Sequence, residues 1–184
     1  MDEKKLHSIQ QAVIGLVYEE GLSKLTTAKV AKRAGVSPAT LYLHYSSKED
    51  MLSRIYEQLK ELMHEGLGQV IEEGESLEHQ LRAMLHFSLE RYRSYPRQAR
   101  FIQVLWESRE LLDERAVDSG LVAGGALEKL YLRMQQDSAY RSVSPQVSEL
   151  FLSIPVQALM RQPDLDAEEL DIICSMAIAA LKTA

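Results

Sequence analysis

The chain has 184 residues, 46% of them apolar, a formal net charge of -6, nine glycines, five prolines and one cysteine. That composition is ample for a packed core and too poor in proline and glycine for a disordered chain. The lone Cys174 excludes an internal disulfide framework, no run nears the roughly 18 apolar residues of a membrane span, and residues 1–10 carry Asp2, Glu3, Lys4 and Lys5 with no apolar run resembling a signal peptide. A soluble protein of the reducing cytoplasm, with no membrane attachment, is expected.

Apolar residues recur at helical spacing almost throughout, and sustained alternation is absent, so the expected fold class is all-α. A first helix is predicted from Lys4 to Glu20, with Leu6, Ile9, Val13, Leu16 and Val17 on one face and Gly21 as its stop. Leu22 and Leu25 follow as plugs for a small core. The stretch Thr26 to Asp50, TTAKVAKRAGVSPATLYLHYSSKED, then writes two short helices, a tight turn and the start of a third helix. Thr27 reads as the first N-cap. Gly35 suits a helix end in the left-handed conformation, and Ser37-Pro38 restarts the chain as N-cap and first helical residue. Leu41 and Tyr45 face inward, which leaves Ala39, Thr40, Tyr42, Leu43 and His44 for solvent or a partner. Ser47-Lys48-Glu49-Asp50 resembles a capping box with Asp in place of Glu or Gln.

A fourth helix is predicted from Lys48 to about Glu73, a connecting rod roughly 35 to 40 Å long with Gly66 and Gly68 as points of fraying or bending. Helices from Leu77 to Tyr95 and from Arg97 to about Leu112 follow, separated by Pro96. Gly120 and the pair Gly124-Gly125 loosen the chain before a helix from Leu127 to Gln136. A polar loop to Pro145 precedes two last helices, Pro145 to Gln162 with a kink at Pro155 and Asp166 to Lys182.

Charge is unevenly divided. Lys24 to Lys48 holds five Lys or Arg and no acid; residues 1–50 as a whole hold seven basic and six acidic residues, and the rest hold fourteen basic and twenty-one acidic. A cationic helix-turn-helix in an acidic protein points to a surface for DNA phosphate, and the acidic body confines binding to one end. An ordinary helical hairpin with a solvated basic face would explain the charge alone. It would not explain the cap, small residue, glycine, valine and Ser-Pro in that order.

The run AKVAKRAGVSPATLYLHYSSKEDML resembles the N-terminal domain of the TetR/AcrR family of bacterial transcriptional regulators, with the close match over about residues 8–56. The resemblance implies an all-α homodimer with a three-helix DNA-binding head at 1–47 and a helical effector-binding and dimerisation domain at 48–184. Two positions depart from the family's commonest pattern: Pro38-Ala39 replaces a polar residue and glycine, and Leu43 occupies an exposed site of the recognition helix.

The expected function is a ligand-responsive regulator, a repressor, that binds a near-palindromic double-stranded operator. The helix from Pro38 to about Tyr45 would enter the major groove, with Thr40, Tyr42 and His44 as candidates for base or nearby phosphate contacts and Ser37 at the rim. Pro38, Ala39 and Leu43 complete its outward face. Thr27 and Lys48 are expected to hold phosphate, and Lys29, Lys32 and Arg33 to add diffuse attraction.

A small apolar effector is expected among Met84, Phe87, Arg91, Phe101, Trp106, Tyr131 and Phe151, residue types that serve equally well as core. Bound there, it would pivot the fourth helix and change the spacing of the two heads. Phe151, Ile154 and Ala158 on one late helix, and Ile173, Ala177 and Ala180 on the last, are the candidate dimer interface. The last helix is apolar on a second side through Ile172, Met176, Ala179 and Ala180, which calls for a cover.

Catalysis has little support. Glu61 and His64 form half of a di-iron carboxylate motif with no second half, Cys174 sits on an apolar helix, and no phosphate loop or nucleophile elbow occurs. No enzyme activity, cofactor or metal is expected. The alternatives are a DNA-binding regulator or adaptor without an effector, and a helical enzyme or carrier whose N-terminal hairpin is incidental.

Overall fold

The computed structural model describes residues 2–121 and 125–183. Helices account for nearly all of its regular structure, joined by two 3-10 turns and one isolated bridge between Tyr140 and Lys182. The fold is all-α. Gly124, expected to loosen the chain, lies outside the described residues.

By packing, the chain divides into two compact units, Met1–Leu62 with Tyr95–Gly120, and Met63–Ser94 with Leu121–Ala184. A division by role at residue 48 is therefore a separate matter from the division by packing.

The first unit opens with α1 (Asp2–Glu20), whose inner face buries Ile9, Ala12, Val13, Leu16 and Val17. Gly21, at φ 84, ends it, and a 3-10 turn at Leu22–Lys24 drops Leu22 and Leu25 into the same core. Then come α2 (Thr27–Ala34), α3 (Pro38–His44) and α4 (Lys48–His64). A seven-residue helix such as α3 is unstable alone. It is held by Leu41, 0% exposed, and by Tyr45 against the core formed with Met51, Leu52, Ile55 and Tyr56 of α4. Later in the chain, α7 (Pro96–Glu107) packs on α1 through Phe101 and Leu105.

A 3-10 turn at Arg109–Leu111 replaces the expected end of α7 at Leu112, and α8 (Glu114–Leu121), unforeseen in the sequence, follows. Asp113 starts α8 by accepting the Ala116 amide at 2.8 Å, while its own amide donates to the buried hydroxyl of Ser53 at 2.9 Å.

The expected rod from Lys48 to Glu73 is not continuous. It ends at His64, Gly66 takes a left-handed conformation at φ 86, and a short α5 (Leu67–Glu72) resumes in the second unit. That unit continues with α6 (Leu77–Ser94), α9 (Ala126–Gln136), α10 (Pro145–Leu152), α11 (Ile154–Arg161) and α12 (Ala167–Leu181). The expected kink at Pro155 is an interruption of one residue between α10 and α11, Ser153, which keeps right-handed helical dihedrals at φ -82 and ψ -14 while the proline two places on lacks an amide to donate back along the helix. Leu81, Met84, Leu85, Leu130, Met134, Leu159, Cys174 and Ile178 form the core of this unit. Gln80 is buried and bridges it, donating to the Gly74 carbonyl and accepting from Arg133.

Candidate nucleic-acid interface

The turn between α2 and α3 is built from local chemistry. Thr26 caps α2 by accepting the Lys29 amide at 3.3 Å, which corrects the expectation that Thr27 does so; Thr27 is the first helical residue. Gly35, at φ 67, closes the helix in the left-handed conformation, and the Val36 amide donates to the Ala31 carbonyl at 3.0 Å. Ser37 then caps α3, accepting the Thr40 amide at 3.0 Å. With Leu41 anchored inside, the outward face of α3 holds Pro38, Ala39, Tyr42 and Leu43, with Thr40 and His44 half-buried at its flank. Leu43 is 82% exposed and Tyr42 54%.

Beside α3 lies an open concavity of about 530 Å³ lined by Leu25, Thr26, Thr27, Tyr42, Ser46, Ser47 and Lys48. The Thr27 and Tyr42 hydroxyls share a hydrogen bond of 3.3 Å. The first residues of both α2 and α4 border it, so the positive ends of two helix dipoles meet hydroxyls and an ammonium, with no carboxylate in the lining. The nearby Asp50 carboxylate is turned back into its own helix start. It accepts from the Ser46 amide at 2.7 Å, the Ser46 hydroxyl at 3.0 Å and Arg54 Nε at 2.7 Å. Burial raises its pKa, but these donors outweigh that and hold it below the ordinary carboxylate value. Such a surface can bind a phosphate oxygen through hydroxyl donors and Lys48 at a helix N-terminus.

Two of the cations expected to add diffuse attraction are engaged elsewhere. Lys29 Nζ lies 2.6 Å from Glu20, and the Arg33 guanidinium forms two hydrogen bonds of 2.6 Å with the Glu19 carboxylate. Arg33 reaches that partner across Gly15 of α1, where a Cβ would stand 2.8 Å from its Nη2. Hydrogen bonding by Arg33 is the main cause that lowers the Glu19 pKa, with Arg97, stacked 5.5 Å over Tyr18, adding attraction. The basic count over Lys24 to Lys48 missed these partners because Glu19 and Glu20 fall just before it. Thr26 and Ser46, each a hydroxyl next to a predicted cap, and Ser47, expected only as a cap, also line the concavity.

The seven effector candidates divide between the two cores. Phe101 is buried and Trp106 packed in the first unit, whereas Met84, Phe87, Tyr131 and Phe151 belong to the second. They are thus not one cluster, because α7 places its aromatics in the core with α1. Arg91 stacks 5.0 Å over Phe87 and donates to the Glu65 carbonyl. Burial raises the Tyr131 phenol above its ordinary pKa and pushes the Cys174 thiol up to about 11.

Of the interface candidates, Ile154 and Ala180 are exposed and Phe151, Ala158 and Ile173 half-buried. Ala177, 3% exposed, is enclosed by its own unit and gives no outward face, a correction that follows from its place beside Cys174 and Ile178 on the inner side of α12. Leu150, Ile172 and Met176 are open to 63%, 53% and 66%, against 41% for Ile154. No group of three or more metal-ligating side chains occurs among the described residues, and no described helix is long and apolar enough to cross a membrane.

Residues 11–55 match the family model described as bacterial regulatory proteins, tetR family. Over 70 residues the chain is 34% identical to the nucleoid occlusion factor SlmA of Vibrio campbellii, covering 38% of this chain and 36% of that protein. The corresponding factor of Marinobacter nauticus is 32% identical over 82 residues, covering 45% and 42%. These alignments thus span less than half the length of the relatives. A TetR family transcription regulator from Marinobacter aquaeolei shares the fold at a TM-score of 0.85 and 22% identity, covering 100% of this chain and 98% of that one. FadR from Bacillus subtilis, solved in complex with stearoyl-CoA, shares it at 0.74 and 17%, covering 95% and 98%. The matched segment holds the second half of α1, all of α2 and α3 and the first half of α4, so the N-terminal head of this chain is similar to that of the tetR family of bacterial regulatory proteins.

Proposed function

We propose that this protein is a DNA-binding transcriptional regulator, a repressor that acts as a homodimer on a near-palindromic operator in the cytoplasm and is released by a small apolar effector. The observation that carries the reading is the carboxylate-free concavity where Thr27, Tyr42 and Lys48 converge beside the outward face of α3. Residues 1–47 are the DNA-binding domain in this reading, with α3 in the major groove and Ser37, Pro38, Ala39, Thr40, Leu43 and His44 nearest the bases. Thr27, Tyr42 and Lys48 hold a backbone phosphate, and Lys29 contributes less because Glu20 already pairs with it.

Residues 48–184 supply dimerisation and effector binding. The apolar side chains left outward on α10, α11 and α12, above all Leu150, Ile154, Ile172 and Met176, support a second copy as their cover. The effector site falls to the second unit, where Met84, Phe87 and Tyr131 surround an apolar interior and Arg91 stands at Phe87. An effector there acts only if it binds one spacing of the heads better than another.

Selection of bound fragments from random and genomic duplex DNA tests the proposal. Recovery of a two-fold symmetric sequence upstream of coding regions is expected, and recovery of no enriched sequence would overturn it. The names of the nucleoid occlusion relatives favour a second reading, a DNA-binding protein that does not regulate transcription. Sites scattered through the genome without preference for promoters would be its result.

A further inference from the structure

Helix α3, PATLYLH, contains none of the side chains that pair in two-point fashion with base edges: no Arg or Lys for guanine, no Asn or Gln for adenine, no Asp or Glu for cytosine. Its hydroxyls are already engaged. Thr40 Oγ1 shares a hydrogen bond of 2.9 Å with Ser37, and Tyr42 shares one with Thr27 at the concavity. His44 is half-buried at the helix end. The group that α3 presents most openly is the Leu43 side chain, 82% exposed, with Ala39 four residues before it on the same face.

The apolar feature that a base pair offers in the major groove is the C5-methyl of thymine. We propose that Leu43, seconded by the methyl of Ala39, is the specificity-determining residue of this head, and that it reads thymine C5-methyl groups by apolar contact. The inference rests on the DNA-binding reading of α3 and goes beyond it by naming what is recognised. It also gives a reason for a large apolar residue in the open, where it stabilises nothing inside the head.

The test uses the full chain and the operator obtained by selection. Each thymine of one half-site is replaced in turn by deoxyuridine, which lacks only the methyl group, and affinity is read by fluorescence anisotropy at fixed salt. At one or two positions the replacement should weaken binding about fourfold, the equivalent of one methyl group removed from water. In Leu43→Ala the same replacements should change affinity by less than about twofold, with an unchanged melting temperature because the side chain is already solvated. Indifference to uracil at every position, an equal loss in Leu43→Ala, or an operator without thymine in the half-site would each overturn the proposal while leaving DNA binding intact. Failure to bind any duplex would instead remove the reading on which it rests.

Discussion

Lys48 and Arg33 carry the same charge and have different occupations. Lys48 makes no ion pair with a described residue and lines the concavity at the start of α4, whereas Arg33 clamps α2 to α1 through Glu19. Lys48→Ala should therefore weaken binding to all duplexes alike and reduce the salt slope by about one ion, measured by anisotropy across a salt series. A loss confined to one sequence would contradict the phosphate role. Arg33→Ala should instead lower thermal stability and leave the salt slope nearly unchanged. Because the folded Glu19 pKa is depressed, the stability that Arg33 confers is present above the unfolded carboxylate value and is lost as pH falls through the folded one. Melting curves of the two proteins should converge in acid; a constant difference down to low pH would show that packing over Gly15, not the ion pair, accounts for the effect. Sequence alone shows the charges but not their partners, since Arg33 and Glu19 are 14 residues apart and meet only once α1 and α2 are packed.

Helix starts and stops with distinctive side-chain chemistry are legible in advance: Ser37-Pro38, Gly35 and the start of the last helix at Asp166 all stand where the sequence puts them. Others were not, for physical reasons. Thr26 and Thr27 are chemically equal as caps, and only the backbone conformation selects the first. Helical periodicity runs unbroken through Gly66, so the glycine signals a bend and only its left-handed φ shows that α4 stops there. Asp113 does signal α8, but the glycines that follow disguised it. Gly35→Ala tests how strictly the turn depends on conformation. Nothing lies within 4 Å of the added Cβ, so the cost is conformational alone, about 1 kcal/mol or slightly more by chemical denaturation. A neutral result would mean that the turn relaxes at no cost.

At the scale of the whole molecule, the packing units and the proposed roles divide the chain differently. The first unit takes α7 and α8 from far along the chain, so the head is braced by helices that no local motif predicts. The fold class was readable from periodicity; which late helices join the head depends on contacts such as Phe101 and Leu105 against the core with α1. In the second unit, Leu150, Ile172 and Met176 remain outward. Met176→Glu should shift the protein from dimer to monomer in sedimentation velocity and abolish preference for a two-half-site operator over one half-site. Retention of the dimer would place its interface elsewhere.

The most direct measurement of the central claim is the equilibrium affinity of the intact protein for its selected duplex between low and high salt. Tight binding is expected, with log affinity falling linearly against log salt by about 0.9 for each phosphate neutralised. An affinity that is weak for every duplex and unmoved by salt would contradict the account.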